Sequence, residues 1–249
     1  MGDTETLVIG AAVLFLAGSI KGFIGLGLPT VAMALLTLAL EPRAAVSLIL
    51  VPMLVSNLWQ MIRGGPVASV IRRHWRFAIL LALSVAITLW LSRDTGDRVL
   101  GFVLGSVVIV FAATGWWKLV PEIPQAGSGR VETAAALLTG VVAGLSAGWV
   151  PLAMYLFARR VSPQEFVQAT GFLVSVGSVP MLMGYLALGH ADGQSTVMSA
   201  ILVLPTLAGF TLGEGLRRRV DPEVFRKALL ITFAGLGLNL VFRSVSGGW

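Results

Sequence analysis

Cysteine is absent from the 249 residues, which excludes disulfides, thiolate metal sites and cysteine chemistry. Charge is scarce as well. Asp, Glu, Lys and Arg make up 12% of the chain, while apolar residues reach 56% and mean hydropathy is +0.88. Soluble domains are roughly a quarter charged, so a soluble fold of this composition would lack the polar side chains to cover its surface. The chain therefore reads as a polytopic integral membrane protein. Its two histidines, His74 and His190, fall in stretches that read as loops, and no metal site is suggested. No Walker motif is present for nucleotide binding. Ser146 lacks the strand–turn–helix setting of a hydrolase elbow, and no nucleophile–base arrangement stands out. Neither an enzyme nor a cofactor is expected. No basic residue precedes the first apolar run, so a cleaved secretory signal is not expected either.

What the chain does have is glycine, 29 residues of it, and long apolar runs. The first run, residues 7–40, is apolar apart from Lys21 and is too long for one crossing: as a single helix it would extend about 50 Å against a hydrocarbon core of about 30 Å. It is interrupted by Gly18, Gly22, Gly25, Gly27 and Pro29. A break at 22–28 leaves pieces of about 15 and 12 residues, each too short to span alone, and predicts a re-entrant hairpin. Spanning helices are predicted over 44–62, 77–91 and 99–117, the last ending in the interface anchor Trp116, Trp117 and Lys118. The segment 121–130 reads as a linker. A second apolar run, 131–158, is broken around Gly148, Trp149 and Pro151, and further spans are predicted over 165–188, 195–213 and 224–242.

The halves echo each other. Gly18, Gly22 and Pro29 recur 122 positions later as Gly140, Gly144 and Pro151, and Ser56 recurs as Ser178. Lysine and arginine, 18 against 12 acidic residues, concentrate in a few loops and read as cytoplasmic loop charge, not as a nucleic-acid surface. If each broken run were a single crossing, the basic segments 63–76 and 214–223 would face opposite sides. If each is a hairpin, then 63–76, 118–130, 159–163 and 214–223 all face the cytoplasm. The loops 93–98 and 189–194 and both termini then face outward, with Arg243 the exception to the charge rule. The expected architecture is all-α: one transmembrane domain over 1–249, with about eight hydrophobic segments. Inverted repeats at 7–118 and 131–243 each hold a broken helical hairpin plus three transmembrane helices.

Two broken segments at matching places point to a transporter's binding site. Backbone N–H groups at helix ends bind anions, and glycine allows close backbone approach. The candidate ligands are Lys21, Gly22, Gly25, Gly27, Asn57, Gln60, Gly144, Gly148, Trp149, Ser175 and Ser178. Each has a plainer alternative. The glycines serve close helix packing, a lysine snorkels to the interface, and the amides and hydroxyls bond neighbouring helices. Glu214 reads as a helix-end charge.

The glycine-rich first segment running into Gly27 and Pro29, the proline-containing second helix, and the weaker copy from Gly140 to Pro151 resemble the TauE/SafE sulfite exporter family. The likeness extends over essentially the whole chain. It implies a multi-pass permease of the bacterial cytoplasmic membrane, moving sulfite or a small organosulfonate. The expected partners are that small anion, coupled to protons or to the membrane potential, and the lipid bilayer, with no nucleic acid. A homo-oligomer stays open, because lipid-facing and partner-facing apolar surfaces read alike. An anion channel is the alternative, followed by an intramembrane enzyme or a structural subunit.

Overall fold

The apolar stretch that opens the chain is two helices. In the computed structural model, which describes residues 3–63, 65–117 and 129–216 with separate helical positions between 231 and 246, α1 runs Asp3–Ile24 and α2 runs Leu28–Leu36. Gly25 and Gly27 make the break, at φ 90° and 107°, a left-handed conformation that a Cβ disfavours by roughly 1–2 kcal/mol. Pro29 then sits in the first turn of α2, where its missing N–H leaves nothing unpaired. The break is narrower than the 22–28 expected, and Lys21 and Gly22 lie within α1. The pieces differ from expectation too. The polar turn Asp3–Thr6 joins α1 and lengthens it to 22 residues, enough to cross alone, whereas α2 has nine. The second half repeats the arrangement. Helix α6, Gly129–Ser146, stops before Ala147, and α7, Val150–Ala158, restarts with Pro151 in its first turn.

The remaining helices are α3 (Pro42–Arg63), α4 (Val67–Leu91), α5 (Asp97–Trp117), α8 (Pro163–Ala187), α9 (Gly193–Ile201) and α10 (Val203–Leu216). Five described segments are long and apolar enough to cross a membrane: Thr4–Ile24, Pro42–Arg63, Val67–Leu91, Gln164–Ala187 and Gly193–Leu216. No strand occurs among the described residues. The protein is an all-α, multi-span membrane bundle. One correction concerns α4. Its sequence reading as a loop up to Arg76 followed by a short span gives way to one helix of 25 residues starting after Pro66, so His74 is helical and buried. The physical reason is that Arg72, Arg73 and Arg76 are charged and His74 is polar, but none of them is a helix breaker. The expected anchor residue Lys118, the linker up to 128, Arg217–Arg219 and Arg243 lie outside the described residues, as does most of 224–242.

Helix pairing rests on small residues. Helices α1 and α10 lie side by side in the same direction. Gly18 meets the Thr206 carbonyl and Gly22 the Phe210 carbonyl, while Gly209 and Gly213 meet the carbonyls of Phe15 and Ser19; a Cβ at any of the four would overlap backbone. Helices α6 and α4 pair the same way, with Gly140 on Ser84 and Gly144 on Thr88. Helices α3 and α8 pack antiparallel, with Gly171 against Asn57 and Met61. Within α3, Pro52 has no N–H to give to the Leu48 carbonyl. That carbonyl accepts instead from the Ser199 hydroxyl of α9 at 2.8 Å.

Polar contacts gather the loops into two groups. Arg63 pairs with Glu214 at 3.2 Å and Arg73 with Glu165 at 2.6 Å, which joins the ends of α3 and α10 and the starts of α4 and α8. Elsewhere Arg43 donates to the carbonyls of Ser92 and Arg93, at 3.4 and 3.0 Å, and Ser47 to that of His190 at 2.8 Å.

Candidate functional site

Lys21 lies one turn before the end of α1 and is 2% exposed. Its ammonium donates to the Ser56 hydroxyl at 3.1 Å. Ser56 directs its own proton to the Met53 carbonyl at 3.3 Å, which turns an oxygen lone pair toward the lysine. Asn57 donates to the same carbonyl at 2.6 Å. An ammonium carries three donors, and that of Lys21 makes no other hydrogen bond among the described residues. No carboxylate among those residues accompanies it: the described ion pairs of permanently charged groups are Arg63–Glu214, Arg73–Glu165 and Arg93–Asp94, all toward helix ends. A charged side chain taken out of water is costly unless it is paired, so a lysine buried without a carboxylate among the described residues favours an anion beside it.

Beside Lys21 is a closed cavity of about 10 Å³, room for about one water molecule. Its lining includes Gly27, Thr30, Asn57, Trp149 and Val150. Two helix N-termini thus meet on it. Gly27 caps α2 and Trp149 caps α7, and neither offers a side-chain acceptor to the first-turn N–H groups. Unpaired N–H groups and the positive ends of both helix dipoles favour a negative group between them. The indole Nε1 of Trp149 is buried without a partner. Its ring rests on Gly177 of α8, where a Cβ would stand 2.5 Å from Cη2. Of the side chains named here, the Lys21 ammonium and the Trp149 indole offer donors only.

Of the residues singled out from sequence, Lys21, Gly27, Asn57 and Trp149 line the cavity. Gly25 stands behind it, its carbonyl accepting from Gln60 Nε2 at 2.9 Å. Gln60 Nε2 also reaches the Val167 carbonyl at 2.7 Å and the Thr170 hydroxyl at 3.0 Å, tying the α1–α2 break to α8. Gly22 and Gly144 are elsewhere, in the contacts with α10 and α4, and Gly148 packs against Ser146, Val107 and Val142. Ser175 and Ser178 donate to the carbonyls of Gly171 and Val174 in their own helix, at 2.7 and 2.6 Å. Ser178 lies 122 positions after Ser56, but Ala143 stands at that offset from Lys21. Glu214 ends α10 in its pair with Arg63. Thr30 and Gly177 were not singled out from sequence. The signal for Thr30 was its place directly after Pro29; nothing local marks Gly177.

A multi-span helical bundle in which two broken helices meet beside a buried lysine, with no carboxylate partner among the described residues, has the architecture of a membrane transporter. The sequence comparisons agree. The profile of the family described as "Sulfite exporter TauE/SafE" matches residues 10–240, and the chain belongs to that family. It is also 28% identical over 186 residues to "Probable inner membrane transporter protein TsaS" of Comamonas testosteroni, covering 72% of this chain and 77% of that protein. No solved structure matches.

Proposed function

We propose that this protein is a secondary transporter of the bacterial inner membrane for a small oxyanion, sulfite or a small organosulfonate, bound between the N-termini of α2 and α7. The observation that carries the proposal is Lys21, buried beside the cavity with one hydroxyl partner and no carboxylate among the described residues. The anion supplies the missing negative charge. Trp149 Nε1 and the first-turn N–H groups of α2 and α7 supply neutral donors around its oxygens. Substrate charge alone couples transport to the membrane potential, at about 2.3 kcal/mol per charge per 100 mV.

The same account makes the two halves, 7–118 and 131–243, inverted repeats in which α1–α2 and α6–α7 are the broken hairpins. Helix pairing supports this. Helix α1 packs on α10 as α6 packs on α4, each partner taken from the other half, and α3 lies antiparallel to its counterpart α8. The end bearing Arg63, Arg72, Arg73, Arg76, Arg159 and Arg160 faces the cytoplasm by the positive-inside rule. The closed cavity favours alternating access over an open channel.

The test is uptake into proteoliposomes across sulfite, sulfate, thiosulfate and small sulfonates, with and without a pH gradient. Saturable uptake of a member of this set, with counterflow, is expected, and the pH-gradient arm shows whether a proton accompanies it. Flux of none of them opposes the proposal, and flux without saturation or counterflow replaces it with a channel.

A further inference from the structure

A larger cavity among the described residues lies near Gln168, one residue beyond the Val167 carbonyl that Gln60 bonds. It has a volume of about 420 Å³ and opens at the arginine-rich end, between the first turns of α4 and α8. That is within the usual range for small-ligand sites. Two side chains in its lining carry buried polar nitrogens with no hydrogen-bond partner, His74 Nε2 and Gln168 Nε2. Both residues are 7% exposed. The Gln168 amide nitrogen is a buried donor left unpaired, and so is His74 Nε2 in the tautomer that holds its proton there, which is unfavourable, so each calls for an acceptor inside the cavity.

The surrounding charges say what kind of acceptor. Glu165 is the carboxylate in the lining, and Arg73 occupies its Oε1 at 2.6 Å. His74 Nε2 is 3.7 Å from that oxygen, beyond hydrogen-bond reach. Arg72 also lines the cavity and has no ion pair among the described residues. The N-terminus of α8, capped by Ser162 through the Glu165 N–H at 3.2 Å, adds the positive end of a helix dipole. Donors and positive charge outweigh the single, already engaged carboxylate.

We propose that this vestibule is a second oxyanion site, which holds the transported anion at the basic face before it passes Gln60 to the cavity beside Lys21. The inference rests on the transport reading above. Gln60 separates the two sites. It bonds the Val167 carbonyl, next to Gln168, on one side and the Gly25 carbonyl on the other, and Asn57 of the inner cavity lies one helical turn before it. The ligand is an oxyanion rather than a halide, because the donors His74, Gln168 and Arg72 come from two helices and suit several oxygens at once. A lipid phosphate shares that chemistry, and the test separates the two.

The experiment is equilibrium binding of radiolabelled sulfite to the full chain in nanodiscs, of phosphatidylcholine alone or with added phosphatidylglycerol. The variants are Lys21→Met, and Lys21→Met combined with Gln168→Leu or with the exposed, fold-neutral Arg72→Gln. Lys21→Met is expected to keep one sulfite site, with Kd raised about tenfold by Gln168→Leu and about threefold by Arg72→Gln. Binding to the wild type but not to Lys21→Met overturns the vestibule alone. Binding to neither overturns the transport reading with it. Binding to Lys21→Met that neither second substitution weakens overturns the assignment of these residues. Sulfite binding abolished by phosphatidylglycerol makes the occupant a lipid headgroup and overturns the role in passage.

Discussion

The Lys21 ammonium donates to the Ser56 hydroxyl, 3.1 Å away across the α1–α3 contact, in a buried pair with no carboxylate among the described residues to balance it. Such a pair is poor glue and good bait. Replacing a buried charged group by an apolar one of similar size is often neutral or stabilising. Lys21→Met is therefore expected to unfold at the same temperature as the wild type or slightly higher, measured on detergent-purified protein without substrate. A clear drop in Tm would mean that Lys21 holds the bundle together structurally.

Glycine has two different jobs here, and substitution separates them. At Gly22 a Cβ would overlap the Phe210 carbonyl, so Gly22→Ala forces α1 away from α10. Overpacking of this kind costs about 1–3 kcal/mol, and a low yield of folded protein is expected. At Gly27 there is room, with Ile20 Cγ2 4.0 Å away, but φ is 107°. Gly27→Ala is expected to lose about 1–2 kcal/mol through backbone strain and to shift the start of α2, raising KM for the anion more than it lowers yield. Size-exclusion profiles together with transport kinetics distinguish the two outcomes.

Trp149→Phe keeps an aromatic ring but deletes the unpaired Nε1–H, together with the outer indole edge that meets Gly177. Loss of one hydrogen bond to a charged group is worth about 1.5–3 kcal/mol, so KM should rise by roughly tenfold or more, alongside the fall in Tm expected from the lost ring edge. An unchanged KM would remove the indole from the anion's contacts.

One pH effect can be signed. Asp192 caps α9, accepting from the Ser195 backbone N–H at 2.7 Å, while the Ser195 hydroxyl accepts from the Asp192 N–H at 2.9 Å. The Ser195 backbone bond, followed by the Ser195 side chain, holds the Asp192 carboxyl below the usual carboxylate range. Because its folded value is depressed, the cap's contribution is fully present above the unfolded carboxylate range and fades as pH falls through the depressed value. The Tm difference between wild type and Asp192→Ala should therefore be small but constant at neutral pH and shrink in acid. A difference that grows in acid would contradict this.

Much of the membrane class and the broken helices was legible in Gly25, Gly27, Pro29 and Pro151, because glycine and proline act on the backbone locally. The ends of helices were less so. The start of α1 at Asp3 and of α4 just after Pro66 were hidden by charged residues that resemble loop yet continue a helix. The pairing of α1 with α10 depends on residues nearly two hundred positions apart, although the spacing of Gly209 and Gly213, one turn apart, was a usable sign of a close helix contact. Lys21 stood out at once as a charge in an apolar run. Its isolation from every described carboxylate did not, since that depends on where α3, α7 and α8 place their side chains.

The central claim is that Lys21 supplies the counter-charge for a transported oxyanion. Its most direct measurement is counterflow of labelled sulfite in proteoliposomes holding equal amounts of wild-type protein or Lys21→Met. Truncating one partner of a buried charge pair costs about 2–5 kcal/mol, so counterflow by Lys21→Met is expected to fall by about a hundredfold with the protein folded. Counterflow at the wild-type rate would contradict the account.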